Sequence, residues 1–210
     1  MKHRKWVILV FFPLTLWACS PTCVQGSRDS ASPSSQFLLG DRQEFGGFSF
    51  QPPQGTEAGE WGVGEWGAGV FLNNTEYVTI IRLGMESNES LAGILSSYEE
   101  SSSAANTYTA VRGYIDIWLY WLGLSPLETV DDIQFGKESA ICLDGLSGFS
   151  GTMQAEGFEG EYHYVEGDIN TFIAFGFGAP ADEEDSWQAV GVTNYDLVLS
   201  TIEFDPEWLK

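Results

Sequence analysis

Two histidines supply the imidazoles of this 210-residue chain, His3 and His163. His3 lies in a basic leader expected to be removed, which leaves His163 for any role as general base or metal ligand. It stands between Tyr162 and Tyr164 in a run that reads as a strand. No GxSxG elbow accompanies it and HExxH is absent, so a nucleophile or zinc site has no partner group at the right spacing. His163 is therefore expected to be a paired or surface residue, dispensable for any activity. The run Asp182-Glu183-Glu184-Asp185 offers oxygen ligands, yet it lacks the alternating spacing and turn glycine of a calcium loop. It reads as a solvated loop favouring the N-terminus of the helix after it. A formal GxGxxG occurs at Gly62, Gly64 and Gly67. A dinucleotide site needs a helix after that fingerprint, whereas Val70-Phe71-Leu72 reads as a strand. The repeated GEW is expected to form a glycine-rich turn with Trp61 and Trp66 resting on a neighbouring surface. With 30 acidic side chains, no pair can be singled out as a glycosidase-like dyad. No catalytic residue, metal site or cofactor is expected.

The charge balance narrows the partners. Nine basic residues face 30 acidic ones, and three of the basic ones, Lys2, Arg4 and Lys5, belong to the leader, so the remainder carries about −24. Such a field repels phosphate backbones and anionic headgroups, which argues against nucleic acid. The leader, residues 1–18, joins those basic residues to an apolar run from Trp6 to Trp17, too short to span a bilayer comfortably and expected to be an export signal. It ends Leu16-Trp17-Ala18-Cys19, which resembles the lipobox of bacterial lipoproteins, with Trp17 departing from the usual small or β-branched residue. The resemblance implies cleavage after Ala18, lipid attachment at Cys19, and anchoring to the outer face of the cytoplasmic membrane or to the outer membrane.

Residues 19–36 are small, polar and proline-containing and are expected to form a flexible tether, with a single domain over 37–210. Cys19 and Cys23 are too far apart for a CxxC motif. Cys142 lies in an apolar strand pattern and reads as a small core residue rather than a reactive thiol. With Cys19 lipidated, Cys23 and Cys142 are left to pair in an oxidising exterior, but a flexible tether weighs against that bridge.

Within the domain, Gly136 to Gly178 is a glycine-punctuated series of short apolar or alternating runs, the pattern of consecutive antiparallel strands. Its clearest hairpin joins Glu161–Val165 to Asn170–Phe177 through Glu166-Gly167-Asp168, where glycine can supply a positive φ. Gly47-Phe48-Ser49-Phe50 alternates as a strand stopped by Pro52-Pro53, and Tyr77–Leu83 is apolar on both faces like a central strand. Three helical patterns supply cover. The first follows Asn88 as N-cap with Leu91, Ile94, Leu95 and Tyr98; the second carries Val111, Tyr114, Ile115, Trp118, Leu119 and Leu122 and closes before Pro126. The third opens at an Asp185/Gln188 capping box and runs to about Leu197, ahead of an alternating Ser200–Phe204. The class is α+β, a mostly antiparallel sheet covered by two or three helices.

GFSFQPP near the start, an early amphipathic helix, a meander with a YVEGD hairpin, and a closing Trp-containing helix that runs into STIEF together resemble the PsbP-like α/β/α sandwich of many exported bacterial lipoproteins. The resemblance covers about Phe45 to Phe204, with residues 101–130 longer than the usual connection. It implies a protein-binding or photosystem-accessory type of role, and no catalytic or metal residue of the family maps onto this chain.

The second helix is more apolar than one core face requires, because Ile117, Tyr120, Trp121 and Leu124 form a second stripe. That stripe is either buried, since three-layer domains can cover a helix on two sides, or offered to a partner or to the membrane interface. The last is disfavoured by the lack of the Lys and Arg that accompany an interfacial helix and by the negative charge; a protein-docking patch is the expectation, with Trp121 and Tyr120 at its centre. The function expected is a lipid-anchored, non-catalytic binding or assembly module for an unidentified envelope protein, and the alternative is a secreted hydrolase using acidic residues.

Overall fold

The computed structural model describes Cys23 and residues 38–54, 56–64, 67–74, 79–98, 107–122, 133–180 and 186–209; for 57–64, 67–74, 79 and 97–98 it describes the backbone alone. The class is α+β. Short strands β1 (Gln43–Phe45) and β2 (Phe48–Phe50) precede the long hairpin β3 (Glu57–Gly64) and β4 (Gly67–Asn74), then β5 (Thr79–Ser87), α1 (Asn88–Tyr98) and α2 (Thr107–Trp121). The meander follows: β6 (Gln134–Phe135), β7 (Ser139–Leu143), β8 (Leu146–Ala155), β9 (Phe158–Glu166) and β10 (Asn170–Gly178). The chain closes with a π-turn at Trp187–Gly191 leading into α3 (Val192–Ser200), then β11 (Glu203–Phe204) and α4 (Pro206–Leu209). The large sheet is antiparallel throughout, in the order β3-β4-β5-β10-β9-β8-β6, with β7 also on the outer edge of β8. A small sheet, β1-β2-β11, stands apart from it.

Alternation along the inner strands divides the core into two, because successive side chains leave a strand on opposite faces. Phe172 and Ala174 of β10, with Ile81, Leu83 and Met85 of β5, pack against Trp187, Tyr195 and Val198 and against Phe48, Phe50 and Phe204 of the small sheet. Ile173, Phe175 and Phe177, with Tyr162 and Tyr164 of β9, pack against α1 and α2. Three layers result. Phe172 sits between the rings of Phe48 and Phe204, with centroids 5.2 and 5.0 Å away, joining the two sheets.

Several local expectations change. The first GEW, Gly59 to Trp61, lies within β3 and not in a turn, whereas Glu65 and Trp66 of the second lie outside the described residues. β5 is interior, between β4 and β10, but its α2-side face carries Arg82 and Glu86 beside Ile80 and so is not apolar throughout; Tyr77 and Val78 lie outside the described residues. Ser87, not Asn88, caps α1, its hydroxyl accepting from the Ser90 N–H at 3.1 Å. Asn88 instead clamps the β9–β10 loop: its amide donates to the carbonyls of Gly167 and Asp168 and accepts from the Thr171 hydroxyl. Likewise Ser186 caps the π-turn that leads into α3, accepting from the Ala189 N–H, and Asp185 lies outside the described residues. Among the described residues the positive φ values fall at Gly47, Asp144, Gly145 and Gly157 and not at Gly167; Asp144 (47°) and Gly145 (76°) are the pair a two-residue hairpin turn needs between β7 and β8. Gly167 is required for a different reason, since a Cβ there would collide with the Leu209 carbonyl of α4.

Cys23 and Cys142 form a disulfide with Cα atoms 5.6 Å apart, which corrects the expectation that the tether would leave them unpaired. Tether composition makes the encounter costly in entropy, but a covalent bond between 119 positions removes a comparable freedom from the unfolded chain. Among the described residues no helix is long and apolar enough to cross a membrane.

Candidate functional site

Helix α2 lies across the sheet with a defined direction. At its start the Thr107 hydroxyl donates to Glu166 at the end of β9 (2.8 Å), and the Arg112 guanidinium lies 4.5 Å over the ring of Phe135 on β6. Toward its end Trp118 covers Arg82 of β5. Val111, Tyr114, Ile115 and Leu119 recur at three- and four-residue spacing and are buried, as the first stripe requires. Leu122, which the spacing places in that stripe, is exposed where the helix ends.

The helix is fixed by a polar cluster that the sheet holds beneath it. Arg82 and Glu86 are four apart on β5 and therefore share a face, and Gly84 between them is what makes room. A Cβ there would lie 2.8 Å from an Arg82 guanidinium nitrogen. Arg82 donates to the Leu83 carbonyl and, at 2.9 Å, to the Tyr114 hydroxyl, and the latter donates to Glu86 at 2.6 Å. The guanidinium and the Glu86 carboxylate are also an ion pair at 3.5 Å, and the Trp118 ring stacks 4.6 Å from the guanidinium. Burial raises the Glu86 carboxyl from its usual 4.5 to about 7, opposed by the Tyr114 hydroxyl and the Arg82 charge. Burial likewise pushes the Tyr114 phenol well above its ordinary value. The cluster can hold one proton near neutrality. Glu86 is only 3% exposed, and its chemical consequence is to lock Tyr114 and Trp118, hence the end of α2, onto the sheet.

Beyond that lock the second stripe comes out of the fold. Trp121 is 68% exposed, Tyr120 45%, and Ile117 is half-buried, so three of the four residues of the expected docking stripe are adjacent on one helix end. Leu124 lies outside the described residues. Arg82 and Glu86 have no place in the sequence reading; the signal that points to them is a pair of opposite charges at alternate positions flanking a glycine inside an apolar strand.

His163 is buried on the opposite face. Its Nδ1 lies 3.0 Å from the Tyr195 hydroxyl and the two rings meet edge to face, which makes it a packed partner of α3. His163→Gln is expected to lower stability by about 1–2 kcal/mol through that contact. Partner recovery and any enzymatic activity should be unchanged; loss of either in a variant with intact circular dichroism would show that the imidazole itself is used. Among the described residues no three of His, Cys, Asp and Glu come together in a way that could hold a metal ion, and Asp182–Asp185 and Cys19 lie outside those residues. No family model matches this chain, and no curated protein matches it either.

Proposed function

We propose that the chain is an exported lipoprotein held at the envelope through Cys19, and that it acts as a non-catalytic binding or assembly module. Its partner is an envelope protein that docks on Trp121 and Tyr120, flanked by Ile117 and Leu124. The observation that carries this reading is the exposure of Trp121 and Tyr120 at the end of a helix whose preceding turns are pinned to the sheet. A fixed, exposed tryptophan beside a tyrosine loses little conformational entropy on binding, and these are the residue types that dominate binding hot spots. The layered arrangement of helices and antiparallel sheet is consistent with a PsbP-like α/β/α sandwich, and the bridge at Cys23 with an oxidising exterior.

The anchor is tested directly. Cys19→Ala should fail to incorporate labelled fatty acid and should leave the membrane fraction, whereas unchanged labelling would remove the anchor from this proposal.

A second reading, a secreted hydrolase, is favoured by one observation: Glu86 is a carboxyl whose pKa sits near neutrality. Glu86 and Asp116 are the two buried carboxylates among the described residues. Glu86, however, is already engaged by Tyr114 and Arg82 and covered by α2, which gives a substrate no approach to it. Docking is the better-supported reading.

A further inference from the structure

We propose that the Cys23–Cys142 bridge turns the long tether into a short leash, so that the β7–β8 edge of the sheet rests on the lipid surface. This rests on the lipid anchor at Cys19. Three residues, Ser20, Pro21 and Thr22, separate the anchored cysteine from the bridged one. Fully extended, that segment reaches at most about 14 Å. Without the bridge the domain would be held from Leu38, nineteen positions after Cys19, and a coil of that length averages about 20–25 Å between its ends, with a far greater maximum. The bridge therefore also decides which side of the domain stays close to the headgroups.

That side suits a lipid surface. Cys142 pairs with Ser147 across the β7–β8 ladder, and Phe149, two positions farther along the same face, is 41% exposed with its ring against Tyr164. Leu146, at the hairpin turn, is 37% exposed. In a chain with 30 acidic residues, the stretch Gly136–Ser150 carries only Lys137, Glu138 and Asp144 as charged side chains. Elsewhere the negative field resists an anionic surface, whereas this edge offers apolar side chains and little charge. α2 runs the other way, from Glu166 at its start to Arg82 under Trp118, so the leash leaves Trp121 on the half of the sheet away from the bilayer.

The test is hydroxyl-radical footprinting of the lipidated protein on phosphatidylcholine vesicles, read at Phe149, Leu146 and Trp121, against the unlipidated Cys19→Ala protein in solution. Phe149 and Leu146 should be protected several-fold on vesicles and Trp121 should not. Inserting about 20 glycine and serine residues between Ser20 and Pro21, with the disulfide intact, should restore their reactivity, because the leash then no longer limits reach. Cys23→Ser with Cys142→Ser should do the same where it folds. Fatty acid incorporated but Phe149 fully reactive on vesicles would overturn the orientation and leave the anchor standing. No incorporation at all would overturn the anchor and this inference with it. Vesicle-dependent protection that survives the insertion would overturn the leash as its cause, and protection that appears without vesicles as protein concentration rises would assign the edge to a second copy of the chain and overturn the lipid contact.

Discussion

Arg82→Met is expected to lower the unfolding free energy by about 3–5 kcal/mol at pH 8, and by less at pH 6. Among the described residues the Arg82 guanidinium is the positive charge paired with a carboxylate that is 3% exposed, and removing it strands Glu86 in a medium that cannot solvate the ion. Glu86 can escape by taking up a proton, and this is why the loss depends on pH. In the intact protein its folded pKa is about 7, raised from 4.5, so between those values the folded state binds the extra proton. The associated stability is fully present below about 4.5 and is lost as pH rises through 7, a decline on the order of 3 kcal/mol. Glu86→Gln should flatten that part of the stability profile. Equilibrium denaturation from pH 4.5 to 8.5 measures both effects, and a Glu86→Gln profile parallel to that of the intact protein would remove Glu86 as the cause. Arg82→Met with Glu86→Leu should recover much of the single-variant loss, since an apolar pair of similar volume avoids both desolvation penalties. Strict additivity of the two changes would mean that the pair is not coupled.

What the residues reveal before folding depends on how local the determining physics is. The meander from Gly136 to Gly178 is legible because its strands pair with sequence neighbours, and period-two alternation with short turns is a local signal. The first stripe of α2 is legible for the same reason, since Val111, Tyr114, Ile115 and Leu119 announce their face by spacing alone. Val70-Phe71-Leu72 of β4 reads as a strand, but β3 and its pairing with β4 are hidden, because Gly59, Gly62, Gly64, Gly67 and Gly69 lower strand propensity and imitate a loop. Caps slip by one position where Ser87 stands beside Asn88 and Ser186 beside Asp185, because each neighbour is a competent cap. Which one serves depends on tertiary demand: the β9–β10 loop takes Asn88 for itself. The pairing of Cys23 with Cys142 spans 119 positions, and no local pattern encodes an encounter at that distance. Arg82 and Glu86 escape notice because burial of a charge pair is decided by what covers it, and Tyr114 and Trp118 arrive from another element.

That same lock makes the docking stripe separable from the core, and the largest functional effect is expected there. Trp121→Ala with Tyr120→Ala should abolish crosslinked recovery of the envelope partner by the membrane-bound protein. Truncating a hot-spot tryptophan or tyrosine typically costs 2 kcal/mol or more, about 30-fold in affinity for each. Stability should change by only about 0.5–1 kcal/mol, because Trp121 is largely and Tyr120 about half in solvent and the helix is held one to two turns earlier, by Tyr114 and Trp118 on Arg82. Leu119→Ala provides the opposite control. It faces the sheet, is fully buried, and should lose about 2–5 kcal/mol while the folded fraction still captures partner. Crosslinking followed by mass spectrometry, with urea denaturation of the same variants, separates the two quantities. A large stability loss in the Trp121 and Tyr120 double variant would return both residues to the core. Undiminished recovery from a stable double variant would leave α2 as a cover for the sheet and move the search for a partner to another face of the domain.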